Sequence, residues 1–328
     1  MILRNFSKFL GRSWSCEQDM AGMNLKTLGR EKIEEIVNSF ETILTDCDGV
    51  LWFQNNPIAN AAKTMNAFHN TGKKIFYVTN NSTKTREEFA EKAENLGFIA
   101  SPDSIVCTSY LAAKYLQDIN FNKKVYTIGS SGVAKELDKV GISYCGVGPD
   151  PINEKLSYEE LFPTPDPDVG AVLVGFDLQF NYMKMLKAAS YLNNKDTLFI
   201  GTNTDERFPA SETLVVPGTG SIVRTIETCS EREAIIMGKP APYAAVMLQN
   251  KYKIDPKRTL MIGDRASTDI LFGKRSGFKT LLVLSGASTT SDIDNWKKSK
   301  DPKDKELIPD YYTDTIGDLL PYIKNLNN

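Results

Sequence analysis

Asp46 and Asp48 flank a single cysteine where an apolar run, ETILTD, passes into a Gly-containing loop, DCDGVLW. A carboxylate at a buried strand end can be a nucleophile toward phosphorus, dividing one hard displacement into two easier ones. A second carboxylate two residues on, Asp48, can give a proton to the leaving oxygen and later take one from water. Far along the chain Asp264 ends another apolar run, TLMIGD, with Asp269 five residues further. Clustered carboxylates repel unless a cation lies between them, and Mg2+ takes hard oxygen ligands. Asp46, Asp264 and a backbone carbonyl of the first loop are therefore expected to hold Mg2+. Thr79 and Asn81 lie in the polar run TNNS and can donate hydrogen bonds to phosphoryl oxygens. Lys239, in GKP, supplies a fixed positive charge to a group that gains negative charge in flight.

Each segment alone says little. D-x-D-G is common in turns, N-N-S serves as a helix N-cap, and G-K-P and G-D-R occur in ordinary loops. Their force is joint, because all four stand at the carboxyl ends of expected strands, where parallel α/β sheets bind ligands. ETILTD, KKIFYVTNN, IVCTS, KKVYTIG, AVLVGFD, TLFIGTN, AIIMGKP, TLMIGD and TLLVLSG read as strands. Helices are expected between them, over 59–71 and over TKTREEFAEKAENLG, SYLAAKYLQD, SSGVAKELDKVG and YMKMLKAASYLNN. DTIGDLLPYIKNL reads as a closing helix and the KKSK run near residue 300 as a solvated loop. Strands alternating with helices imply βαβ units and a parallel sheet. The proline-rich stretch 149–170 reads as a loop or broken insertion.

A chain of 328 residues suggests about two domains. Hydrophobic residues make up 41% and charged residues 24%, ordinary for a chain that buries a core. The 39 basic and 41 acidic side chains give 39 − 41 = −2, so neither nucleic acid nor an anionic membrane is an expected partner. The single histidine, His69, excludes a multi-histidine zinc site, and the reaction does not need it. Cys16, Cys47, Cys107, Cys145 and Cys229 are odd in number and widely spread, which argues against a disulfide framework and suits a reducing, cytoplasmic setting. No apolar run reaches the 18–20 or so residues of a spanning helix. The N-terminal MILRNFSKFLGRSW carries Arg4, Lys8 and Arg12 with no acid, a composition that leaves mitochondrial targeting open beside a plain basic tail.

DCDGVLW, VTNNSTKTR, GKPAPY and GDRASTDI resemble the four motifs of the haloacid dehalogenase superfamily, in the phosphatase branch that acts on phosphoglycolate, pyridoxal phosphate and p-nitrophenyl phosphate. The likeness spans about residues 40 to 322 and includes GFDLQFNYMKM, FIGTNTDERFP and PGTGSIVRTIE between the motifs. It implies an α/β fold: a Rossmann-like parallel-sheet core, 31–122 and 232–328, with a large α/β cap inserted over 123–231, after a poorly ordered segment 1–30. By the resemblance Asp46 is the nucleophile and Asp48 the general acid/base. Mg2+ is held by the Asp46 and Asp264 carboxylates and the Asp48 carbonyl, with Asp269 orienting its water shell. Thr79, Asn80 and Asn81 form the phosphate loop, and Lys239 is the third-motif lysine. Two departures stand out. Ala266-Ser267 replaces the usual middle pair of the fourth motif, and Gln179 stands where the cap's specificity loop often has His. Gln179, or Arg207 or Arg224, is expected to meet a carboxylate of a small phosphometabolite, most of all 2-phosphoglycolate. Pyridoxal phosphate is the close alternative, and a non-catalytic phospho-aspartate module the distant one. FNYMKML is expected to mix cap core with a homodimer contact.

Overall fold

The computed structural model describes residues 21–151, 164–208 and 214–323. They divide into two compact units, one of Met1–Val78, Ala93–Ala100 and Ala245–Asn328, the other of Thr79–Lys92 and Ser101–Ala244.

In the first unit, parallel strands lie in the order Met23–Asn24, Tyr311–Thr313, Lys279–Val283, Thr259–Gly263, Thr42–Thr45, Lys74–Thr79. Strands buried on both faces read as apolar or β-branched throughout, and TILT, TLMIG and the TLLV of KTLLV do. The register sets Ile262 beside Thr45 and Thr45 beside Tyr77. A π-turn, Ala266–Ile270, leads into the short helix Leu271–Arg275. The expected helix over 59–71 runs Ala61–Asn70.

Two expectations change here and one is refined. The segment 1–30, expected to be poorly ordered, lies outside the described residues over 1–20, as does the basic MILRNFSKFLGRSW. Within 21–30, however, Met23–Asn24 pairs with Tyr311–Tyr312 and Leu25 is buried, so these residues are ordered. The expected closing helix is present as a 3-10 helix, Ile316–Tyr322; Pro321 inside it has no N–H to donate. Lys297 and Lys298 of KKSK close the helix Thr290–Lys298, where cations suit the negative helix end.

The second unit carries a five-stranded parallel sheet in the order Ile235–Ile236, Leu198–Gly201, Val169–Val174, Lys124–Ile128, Tyr144–Cys145. Val172, Val174, Phe199 and Ile128 meet the helices Tyr182–Leu192 and Thr219–Ser230 through Ala188, Leu192, Val223 and Ile226. Phe180 and Met185 pack against this core and Met183 is buried, whereas Tyr182 is exposed, so FNYMKML is mostly core. Within the proline-rich stretch, 152–163 lie outside the described residues. No helix among the described residues is long and apolar enough to cross a membrane.

Candidate active site

In the first unit the Thr42–Thr45 strand delivers Asp46 to the carboxyl edge, and the Asp46 N–H donates to the Ile262 carbonyl at 2.8 Å. The chain then turns tightly. The Cys47 carbonyl accepts from the Leu51 N–H at 2.8 Å, and the Gly49 N–H donates to the Trp52 carbonyl at 2.9 Å. Gly49 has φ +87°, a conformation that costs a side-chain-bearing residue. Cys47 is buried while Asp46 and Asp48 on either side are half-buried, as strand alternation leads one to expect.

Asp264 follows the Thr259–Gly263 strand and is buried. The Ala287 N–H donates to its Oδ2 at 2.7 Å, and its carbonyl accepts from the Ser288 N–H at 2.9 Å. A Cβ on Gly49 would lie 2.6 Å from Asp264 Oδ2, and one on Gly286 2.0 Å from it. Only glycines leave room for this carboxylate. Ser285 Oγ donates to the Gly49 carbonyl at 2.7 Å and joins the two loops that hold it. The segment Ser285–Ser288 was not singled out in the sequence; the Gly after TLLVLS was the available signal.

Asp269 is fully buried, and its Oδ2 accepts from the Arg265 N–H at 3.1 Å. The π-turn carries it back toward the strand end. Asp46, Asp264 and Asp269 each offer a carboxylate oxygen, and these oxygens lie within 4.8 Å of one another. Three hard anionic donors, with neither His nor Cys in the group, fit a Mg2+-type cation and not a thiophilic one. Asp269 thus stands with the other two carboxylates.

In the second unit, Thr79 ends its strand and its Oγ1 accepts from the Asn81 N–H at 3.1 Å. Asn81 Oδ1 accepts from the N–H and the hydroxyl of Thr83 at 2.8 and 2.7 Å, so the side-chain carbonyl shapes the loop. Asn80 faces elsewhere. Its Oδ1 accepts from the Lys239 N–H at 2.8 Å, and its Nδ2 donates to the Lys239 carbonyl at 3.0 Å. Lys239 is 2% exposed.

The GFDLQF segment begins beside the same loop, where the Phe176 N–H donates to Ser82 Oγ at 3.3 Å. Asp177 Oδ1 accepts from the Gln179 N–H at 2.8 Å, and Asp177 Oδ2 accepts from Lys184 Nζ at 2.5 Å. Lys184 is 0% exposed, so this is a buried ion pair under a turn whose tip, Leu178, is 87% exposed. Gln179 is exposed at that tip and its N–H bond is internal to the turn. Neither Asp177 nor Lys184 was marked as a pair in the sequence, although spacing within a turn and the following helix allowed it. Arg224 is exposed and pairs with Glu227 at 2.8 Å, and Arg207 is exposed on the short strand Arg207–Phe208. His69 is exposed on its helix.

Parallel α/β sheets bind ligands at their carboxyl edge, and here that edge holds the carboxylate cluster. Comparison with known proteins gives the family. The family profile described as haloacid dehalogenase-like hydrolase matches residues 43–143, and the HAD-hydrolase-like profile matches 236–319. Glycerol-3-phosphate phosphatase of Homo sapiens is 40% identical over 305 residues, 90% of this chain and 95% of that one. The chloroplastic phosphoglycolate phosphatase 1A of Arabidopsis thaliana is 39% identical over 294 residues, 88% of this chain and 79% of that one. Among solved structures, a p-nitrophenyl phosphatase from Archaeoglobus fulgidus superposes with a TM-score of 0.72 at 27% identity, covering 86% of this chain and 98% of that one. The chain belongs to the haloacid dehalogenase-like hydrolases, and it is a phosphatase of small phosphate esters.

Proposed function

We propose that the chain is a Mg2+-dependent phosphatase that hydrolyses 2-phosphoglycolate through an aspartyl-phosphate intermediate on Asp46. The observation that carries this reading is the group of Asp46, Asp264 and Asp269 carboxylates at the sheet's edge. Asp46 and Asp264, with the Asp48 backbone carbonyl, would hold Mg2+, and Asp269 would hold its shell. The ion would supply positive charge against both the carboxylates and the phosphate.

An Asp46 carboxylate oxygen attacks phosphorus and the ester P–O bond breaks. Asp48, as the acid, gives its proton to the leaving oxygen, and the alcohol departs. Asp48, now a carboxylate, takes a proton from water. The water oxygen attacks phosphorus, the bond to Asp46 breaks, and inorganic phosphate leaves with the carboxylate restored. Thr79 and Asn81 bind phosphoryl oxygens, and Lys239 balances the charge on the transferring group. Gln179 reads the non-phosphate end of the substrate from within the inserted segment 123–231, which we assign as the cap.

The names of the two curated relatives, glycerol-3-phosphate phosphatase and phosphoglycolate phosphatase, support a small, non-aromatic leaving group. They favour a second reading, glycerol 3-phosphate, over pyridoxal phosphate. The reading places the enzyme in the cytoplasm as a homodimer that meets through the cap, with neither nucleic acid nor membrane as partner. Import of the full chain into mitochondria would instead give the basic N-terminal segment a targeting role. The deciding experiment is turnover of 2-phosphoglycolate, glycerol 3-phosphate, pyridoxal phosphate and p-nitrophenyl phosphate by the purified chain. EDTA should abolish activity, Mg2+ restore it, and Ca2+ restore little, because its larger and looser shell misplaces the nucleophile. Full turnover in metal-free buffer would refute the metal assignment. A preference for pyridoxal phosphate would refute the substrate.

A further inference from the structure

Asn80 is the middle residue of a run whose neighbours are expected to bind phosphate. Its side chain does something different. The amide makes a two-point contact with the Lys239 peptide, accepting from the N–H at 2.8 Å and donating to the carbonyl at 3.0 Å, across 159 residues of sequence. The same Nδ2 donates to both carboxylate oxygens of Asp205, at 3.2 and 3.3 Å. The Asn80 backbone carbonyl is held as well, by Thr108 Oγ1 at 2.8 Å and Asn203 Nδ2 at 2.7 Å. Every one of these groups belongs to the second unit.

A side-chain amide carries one acceptor and two N–H donors. Here the acceptor and the donors are all committed to placing one peptide and one carboxylate. Such an amide fixes a backbone in two directions at once, which a single hydrogen bond cannot do. The residue whose backbone is fixed carries a nearly buried ammonium, and Asp205 lies on the loop that follows the Leu198–Gly201 strand of the second sheet. We propose that Asn80 is a positioning residue that sets the Lys239 ammonium for catalysis, and that Asp205 sets Asn80, so that the loop after the Leu198–Gly201 strand is mechanically connected to the catalytic lysine. This rests on the role proposed above for Lys239. It moves Asn80 from substrate binding to the support of a substrate-binding lysine.

A double-mutant cycle on the full chain, read with p-nitrophenyl phosphate and saturating Mg2+, tests it. Asn80→Ala should lower kcat by about 10- to 100-fold, the scale of a misplaced catalytic group. In a Lys239→Met background the same change should cost less than about two-fold, because the residue it positions is gone. Equal losses in both backgrounds would overturn the proposal, since Asn80 would then act on its own. A Lys239→Met enzyme with wild-type kcat would instead refute the lysine's role, and the positioning role with it. If Asn80→Ala does not fold, Asn80→Asp takes its place. It keeps the acceptor for the Lys239 N–H, loses both donors and sets a second carboxylate against Asp205. Its kcat should fall, and Asp205→Asn added to it should recover part of the loss by restoring a donor. No recovery in a folded double variant would overturn the Asp205 link.

Discussion

An amide in place of the Asp46 carboxylate keeps the side chain's shape and removes its charge and its nucleophilicity. Asp46→Asn should lower kcat by at least about 10³-fold, with circular dichroism unchanged. Near-normal turnover would show that another group attacks phosphorus. The same variant relieves repulsion within the Asp46, Asp264 and Asp269 group, so in EDTA its melting temperature should equal or exceed the wild-type value. At this scale the sequence was most informative where a residue's identity and its place at a strand end coincide, as for Asp46 and Asp264. It was least informative where a side chain's partner lies far along the chain. Nothing in TNNS says that the amide of Asn80 turns to the peptide of Lys239, or that the Oδ1 of Asn81 is taken up by Thr83.

Elements carry their own devices. The helix Arg86–Asn95 starts with a reciprocal cap. The Glu88 N–H donates to Thr85 Oγ1 at 3.2 Å, and Glu88 Oε2 accepts from the Thr85 N–H at 2.8 Å. The pairing was readable as T-x-x-E ahead of FAEKA. The hydrogen bond from Lys135, followed by that from the Thr85 N–H, holds the Glu88 carboxyl below its ordinary value. A carboxyl lowered on folding contributes stability above the unfolded-state pKa and loses it as pH falls through the folded-state value. Thr85→Ala should cost about 1 kcal/mol at neutral pH. Glu88→Gln should flatten the acid limb of stability against pH, and an unchanged limb would show that the cap does not titrate. The turn ahead of the helix Tyr182–Leu192 rests on the Asp177–Lys184 pair. Lys184→Met strands a buried carboxylate and should cost about 3–5 kcal/mol, whereas adding Asp177→Asn should recover much of it. Urea midpoints of the single and double variants measure the difference. A helix-spaced lysine in YMKML gave no sequence sign of burial, because charged residues at that spacing usually face water.

The whole chain passes between its two units at 78/79, 92/93, 100/101 and 244/245, so each unit is assembled from separate stretches of sequence. The alternation of strands and helices made parallel-sheet architecture legible, but the unit boundaries were not, because they depend on which segments pack together. The carboxylate group belongs wholly to the first unit, whereas Thr79, Asn80, Asn81, Gln179 and Lys239 belong to the second. A ligand that binds only the folded state stabilises it by mass action, by about 2.7 kcal/mol at a hundred times its dissociation constant. Mg2+ binding should therefore slow hydrogen exchange where the carboxylates and their supports lie. Those segments are Asp46–Trp52, Asp264–Ile270 and Ser285–Ser288, joined by the Ala287 and Ser285 hydrogen bonds. Local openings of the Val169–Val174 and Leu198–Gly201 strands do not release the ion, so their protection should change less when exchange is local. Exchange measured by mass spectrometry in EDTA and in Mg2+, without substrate, distinguishes the cases. Protection confined to the first unit's loops would locate the ion on the carboxylates, and protection centred on the second sheet would place it elsewhere and refute the assignment to Asp46 and Asp264.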